Sequence, residues 1–162
     1  MFNHAPENYR CPFCAISTDD FSDSFPLSRR EDLIVRTQLA TAFICLGTWP
    51  NIAGNALVIP NKHFENIYDL PLEHATEIHR LTRALALGMR STYGCSGIST
   101  RQHNEPDGYQ DVWHFHTHVI PRFKDDFLYP LYPFGQVAPA SQRADFAGRL
   151  RTYLEHHPEV LA

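Results

Sequence analysis

The stretch that most constrains this chain is Trp113-His114-Phe115-His116-Thr117-His118-Val119-Ile120. Histidines alternate there with other residues, and a period of two is that of a β-strand, whose successive side chains point to opposite faces. A strand over Val112 to Phe123 is therefore expected, with His114, His116 and His118 on one face and Trp113, Phe115, Thr117 and Val119 on the other. Imidazoles set in steps of about 7 Å along one face are costly to bury without partners. A purely structural role explains them poorly, and two chemical ones stand. The three can hold a metal, catalytic zinc included. Alternatively one is a nucleophile that its neighbours orient. Phosphoryl chemistry suits the second role: a neutral imidazole nitrogen attacks phosphorus while the other ring nitrogen is held as a donor, usually by a backbone carbonyl.

The remaining pattern is that of an α+β chain. Residues 1–30 look irregular, rich in Pro, Asn, Asp and Ser. Leu33–Thr37 and Thr41–Leu46 are β-prone runs that suggest a hairpin, Thr48-Trp49-Pro50-Asn51 is a turn, and Gly54–Pro60 is a third strand ended by its proline. Leu72, Ala75, Ile78, Leu81, Leu85 and Met89 make one apolar stripe, predicting a helix over 72–92 that Gly94 and Gly97 stop. His74 and His79 lie on it as surface or boundary residues. A strand over Gly97–His103 and a turn at 104–108 precede the histidine run. Residues 124–140 carry Phe127, Tyr129, Tyr132 and Phe134 among prolines, an aromatic loop suited to packing on the core or to acting as a lid or dimer contact. A closing helix over 141–155 follows, with Phe146, Leu150 and Leu154 on one face.

Size and charge exclude several classes. A chain of 162 residues suits a single domain, 1–162, with an N-terminal loop over 1–30 and a C-terminal extension over 124–162. Its net charge of −4 argues against coating nucleic acid. No apolar run approaches the roughly 20 residues that a membrane span needs, and MFNHAPENYRCPF lacks the basic-then-apolar pattern of a secretion leader, so secretion is not expected. The four cysteines are too few for a disulfide scaffold and fit a reducing cytoplasm. Cys45 and Cys95 suit small buried fillers. Cys11 and Cys14 form a C-x-x-C without a preceding strand, so a redox pair is disfavoured; half a zinc site or a chance pair remains. The ten histidines are a surplus that raises the expectation of a site without locating one.

The run His114-Phe115-His116-Thr117-His118-Val119-Ile120 resembles the signature of the histidine triad (HIT) family, with Thr117 in place of its second apolar residue. Gly54-Asn55-Ala56-Leu57-Val58-Ile59-Pro60-Asn61-Lys62-His63 is similar to the family's G-H-x-L-V-I-P-x-x-H strand and exit, and Asp69-Leu70-Pro71 leads into a helix as it does there. Asn104, Gly108 and Gln110 resemble its N-x-x-x-G-x-Q run. The likeness covers about residues 11–123.

The resemblance implies an α+β fold: an antiparallel sheet with one long helix and a C-terminal helix, in a homodimer that joins two sheets. It implies a nucleotide hydrolase or nucleotidyl transferase acting at the α-phosphate. In this chain His116 would be the nucleophile, forming a nucleotidyl-histidine, and His118 would contact the phosphate and support that intermediate. Asn104, Gly108 and Gln110 would position the phosphate or the backbone that binds it. Zinc-containing relatives imply a structural zinc on Cys11, Cys14, His63 and His114. The substrate would be a purine nucleotide or related small molecule: a phosphoramidate, an aminoacyl adenylate or a dinucleoside polyphosphate.

Three positions depart from the pattern. Gly47 stands where many members bind ribose through Asp or Asn. Asp111 stands where Ser or Thr is common, and a carboxylate there would repel phosphate unless turned away or protonated. Asn55 stands where His is common. Trp49 is a candidate for a base or ribose contact as well as for packing. Gly47 and Asp111 also keep open a second class, a nucleotide-binding regulatory protein with weak or no catalysis. A third, with all three triad histidines on one catalytic metal, is disfavoured by the missing nearby carboxylate ligand.

Overall fold

A computed structural model of the chain describes residues 2–22, 28–131, 133 and 135–162. In chain order the elements are α1 (Pro12–Ser17), β1 (Leu33–Arg36), β2 (Ala40–Ile44), β3 (Gly47–Thr48), β4 (Ala56–Pro60), α2 (Leu72–Thr92), β5 (Gly97–Gln102), β6 (Thr117–Arg122), α3 (Leu128–Leu131), β7 (Gln136–Val137) and α4 (Ala140–His156). Short 3-10 turns occupy Arg30–Asp32, Pro106–Gly108 and Pro158–Leu161. The expected α+β architecture is present: a five-stranded antiparallel sheet in the order β1-β2-β4-β6-β5, one long helix and a C-terminal helix.

The two central strands explain the layering. β2 and β4 are buried at every position, as strands covered on both faces must be. Ala42, Ile44, Val58 and Val119 point to one face, into a core closed by Leu81, Leu85 and Met89 of α2 and Leu150 and Leu154 of α4. Phe43, Leu57 and Ile59 point to the other, against Phe13 and Ile16 of α1. Leu57 lies directly opposite His118 in the β4–β6 ladder, so the His118 side chain emerges on the α1 face. The chain reaches β4 through Gly54 at φ +79°, where a Cβ would come within 2.8 Å of both Phe146 and Tyr93; only glycine fits.

A buried ion pair fixes the C-terminal helix to the start of the sheet. Arg143 of α4 donates to Asp32 at 3.0 Å, with both side chains almost fully enclosed. Burial, the main influence, raises the Asp32 pKa despite its hydrogen bonds.

Four expectations need correction. Residues 1–30 are not wholly irregular: the C-x-x-C starts helix α1, because Pro12 suits a first helical position and Cys11 Sγ caps it by accepting the Cys14 N–H. The strand expected over Val112 to Phe123 begins only at Thr117. Ahead of it the ladder groups are used differently: the Phe115 N–H goes to the Phe64 carbonyl, and the Pro60 and His114 carbonyls accept from imidazoles. Leu72, assigned to the buried stripe, is 85% exposed at the first turn of α2. His74 is buried against Phe64 rather than at the surface, while His79 is exposed.

In the aromatic loop, Phe127 and Tyr129 are exposed, and Leu128 packs against Ile52 and Ile120. Tyr132 and Phe134 lie outside the described residues. β7, beyond the loop, pairs with β3.

Candidate active site and metal centre

The sharp turn before β6 brings His114, and the exit from β4 brings His63, to Cys11 and Cys14 at the start of α1. Cys11 Sγ lies 3.2 Å from His114 Nδ1, Cys14 Sγ lies 3.3 Å from His63 Nδ1, and Cys14 Sγ lies 3.6 Å from His114 Nδ1. The four donor atoms all fall within 4.8 Å of one another. Around a tetrahedral zinc, a sulfur and a nitrogen ligand are separated by about 3.5 Å, so the cluster has the right span. Both thiols are free of disulfides. His114 donates its Nε2–H to the Pro60 carbonyl at 3.0 Å, which leaves the Nδ1 lone pair facing the sulfurs, as a metal-binding imidazole requires. Cys11 is pulled far below the usual thiol range, first by its hydrogen bond from Cys14 and then by His114 and His63. The His63 imidazole is raised, chiefly by Cys11.

His116 follows His114 by two residues and is almost fully buried. It donates Nδ1–H to the His114 carbonyl at 2.8 Å. That bond fixes the tautomer and leaves the Nε2 lone pair available. Burial lowers the His116 pKa, so the ring stays neutral and nucleophilic. The His118 ring lies 5.2 Å from it, centroid to centroid, and burial pushes the His118 pKa down to about 3. Among the described residues His118 Nδ1 has no hydrogen-bond partner. His103 reaches the same cluster, with its ring 6.3 Å from that of His118.

His116 and His118 open on a cavity of about 270 Å³ whose walls are mostly apolar: Phe13, Phe43, Leu46, Leu57, Trp49 and Val112, with Ser28, Cys45, Gly47 and Asp111. Trp49 and Gly47 are thus at the cavity. Cys45 is a wall residue rather than a filler, and burial raises its thiol to about 11. Cys95 is the core filler expected. Asp111 Oδ1 lies 3.8 Å from His116 Nε2.

Gln110 and Asn104 are not among the described lining residues of the cavity, and their amides are committed to the chain. Gln110 Nε2 donates to the Glu65 and Val112 carbonyls at 2.6 and 3.1 Å, and its Oε1 accepts the Glu105 N–H. Asn104 Oδ1 accepts the Ile67 N–H at 2.8 Å, and its Nδ2 donates to Gln102. The Gly108 carbonyl accepts from His103 Nδ1. Together they brace a loop in which Glu105 and Tyr109 adopt positive φ, at +63° and +66°, Tyr109 in the left-handed helical region, conformations that need outside support.

Two contributors are missing from the sequence reading. Phe13 packs edge-on against both His114 and His116, with centroids 5.9 and 5.3 Å away. Its position inside the C-x-x-C is the only signal it offered. Buried Glu65 accepts the N–H groups of His4 and Ala5, tying the first residues to the brace; nothing in its local sequence marks it.

A sequence model described as the HIT domain matches residues 29–125. An adenosine 5'-monophosphoramidase of Saccharomyces cerevisiae is 32% identical over 113 residues, covering 69% of this chain and 62% of that protein. An asymmetrical bis(5'-nucleosyl)-tetraphosphatase of Schizosaccharomyces pombe is 29% identical over 107 residues, covering 66% and 57%. This chain thus matches less than two thirds of either relative's length. The crystal structure of a zinc-bound histidine triad family protein from Mycobacterium smegmatis superposes with a TM-score of 0.74 at 23% identity, over 92% of this chain and 96% of that one, which establishes the shared fold. With the domain match spanning the sheet, the long helix and the triad, the chain belongs to the HIT family.

Proposed function

We propose that the protein is a nucleotide hydrolase or nucleotidyl transferase that works at the α-phosphate through a covalent intermediate on His116. The observation that carries this reading is the hydrogen bond from His116 Nδ1 to the His114 carbonyl, which leaves a neutral Nε2 on a buried side chain that lines the cavity. The Nε2 lone pair attacks the α-phosphorus, and the bond from phosphorus to the leaving group breaks, its electron pair departing with that group. A leaving nitrogen takes up one proton from solvent. Water then attacks the nucleotidyl-histidine, the N–P bond breaks back onto Nε2, and one proton returns to solvent. His118 supports the phosphoryl group from the same face, while Asn104, Gly108 and Gln110 hold the loop beside it. The relatives named as a phosphoramidase and a tetraphosphatase support this class, with a purine nucleotide as substrate.

Cys11, Cys14, His63 and His114 would hold a structural zinc, whose chemistry here is to crosslink α1 to the turn before β6. Residues 1–162 would act as a single HIT-like domain with its loop at 1–30 and its extension at 124–162, working as a cytoplasmic homodimer without nucleic-acid or membrane partners. Among the described residues no helix is long and apolar enough to cross a membrane.

A regulatory protein that binds nucleotide with weak or no catalysis is the second reading, favoured by the Asp111 carboxylate beside His116. Trapping separates the two. Incubation with α-labelled nucleotide phosphoramidate, aminoacyl adenylate and dinucleoside polyphosphate, then denaturation, should leave label on His116. His116→Ala should abolish label and turnover while the fold is kept. Binding of AMP with no label in the wild type would establish the regulatory reading instead.

A further inference from the structure

A site built to hold phosphate ordinarily presents cations to it. Here the described lining residues of the cavity include one formally charged side chain, and it is an acid, Asp111. Its Oδ1 stands 3.8 Å from His116 Nε2. A phosphorus atom in attack range lies about 3–3.5 Å from the attacking nitrogen, so the carboxylate is an immediate neighbour of the transferring group. Arg101 acts on His118 electrostatically but stacks over the Tyr129 ring and is not among the cavity's lining residues.

The backbone around Asp111 has little freedom to withdraw. The preceding residue, Gln110, is buried and tied to Glu65, Val112 and Glu105. The Asp111 side chain itself is 84% exposed, at the open side of the cavity. Displacement at phosphorus is in line, so the leaving group departs away from buried Nε2 and toward that open side.

Every nucleotide substrate brings the same anionic α-phosphoryl group, so its repulsion by Asp111 does not discriminate. The leaving group does. A nucleoside polyphosphate leaving group adds several negative charges next to the carboxylate. A phosphoramidate leaving group becomes an amine by taking a proton, and any positive charge that develops on nitrogen is attracted by the carboxylate. We propose that Asp111 is a specificity-determining residue, which disfavours leaving groups carrying further phosphate and favours those that depart as amines. The proposal rests on His116 as the site of nucleotidyl transfer, and deepens that reading by naming the substrate class.

The test compares the full-length wild type with Asp111→Asn, in two arms. In the first, kcat/KM is measured for an adenosine phosphoramidate and for diadenosine tetraphosphate. The ratio should move toward the polyphosphate by about tenfold in Asp111→Asn, and by less at high salt, since exposed charges are screened. In the second, calorimetry gives dissociation constants for AMP and ATP, whose extra phosphates stand in the leaving-group position. The ATP-to-AMP affinity ratio should rise by a similar factor in Asp111→Asn. Ratios that stay fixed or move the other way overturn the proposal. Absence of turnover and of labelled His116 in the wild type overturns the hydrolase reading, and the binding arm still decides the charge filter. Failure of both nucleotides to bind overturns the two together.

Discussion

His116 is oriented by the backbone of His114: its Nδ1–H meets the His114 carbonyl at 2.8 Å, while the His114 ring turns to the two thiols of α1, 3.2 Å from Cys11 Sγ. The proposed nucleophile and the proposed metal centre therefore share one residue. Anything that loosens the His114 ring also loosens the acceptor that sets the His116 tautomer.

Loss of the metal should accordingly reach the chemistry. Purified protein should carry zinc in stoichiometric amount, measured by elemental analysis. Cys11→Ser should lose it, melt at lower temperature, and lose about 10–100-fold in kcat, the range typical for damage to supporting ligands. Protein without stoichiometric zinc, and a Cys11→Ser variant as stable as the wild type, would refute the structural site.

Phe13 lies between the two centres, its ring against both His114 and His116. Phe13→Ala removes that packing and should cost about 3–5 kcal/mol of stability. If His116 is the nucleophile as proposed, the residual folded protein should show a lower kcat with zinc retained. Phe13→Leu should recover most of the stability, read from urea midpoints.

Acid sensitivity follows from His118. Burial holds its pKa at about 3, against an ordinary 6.5. Between those values the unfolded chain binds a proton that the folded chain refuses, so stability is full above about pH 6.5 and falls as pH drops toward 3. The slope from one such group is at most about 1.4 kcal/mol per pH unit. His118→Gln should flatten the dependence of the urea midpoint between pH 7 and pH 5 relative to the wild type; an unchanged slope would show that His118 does not titrate this way.

The Asp32–Arg143 pair offers an independent stability test. Arg143→Met leaves the Asp32 carboxylate buried without its partner, which should cost about 3–5 kcal/mol. Adding Asp32→Leu to that variant should restore part of the loss, since no buried charge then remains. A double variant less stable than either single one would contradict this account.

The elements with strong periodicity were legible from the residues. The α2 stripe gave the helix at 72–92, and the runs before it gave the meander of β1, β2 and β4, because burial on one face or two imposes a regular pattern. Irregular backbone was not legible. The alternation in 113–119 extended the strand too far, because side-chain imidazoles rather than a neighbouring strand satisfy the Pro60 and His114 carbonyls. The clustering of Cys11, Cys14, His63 and His114 was anticipated only through family resemblance, since Cys14, His63 and His114 are remote in sequence and only the fold brings them together. Phe13 and Glu65 were missed because their roles depend on distant partners: His116 for one, the His4 and Ala5 amides for the other.

The pairing of β3 with β7 has a consequence for how the protein can be cut or recombined. Gly47 lines the cavity and pairs across the β3–β7 ladder with Val137, twelve residues past the end of the stretch matched by the HIT domain. Ala147, Leu150 and Leu154, further along, complete the main core. A fragment ending near residue 125 would keep every triad histidine and yet forfeit the strand that supports one rim of the cavity and the floor beneath the sheet. Chimeras that graft the histidine segment alone onto another member's tail would inherit the chemistry from one parent and the cavity's shape from the other.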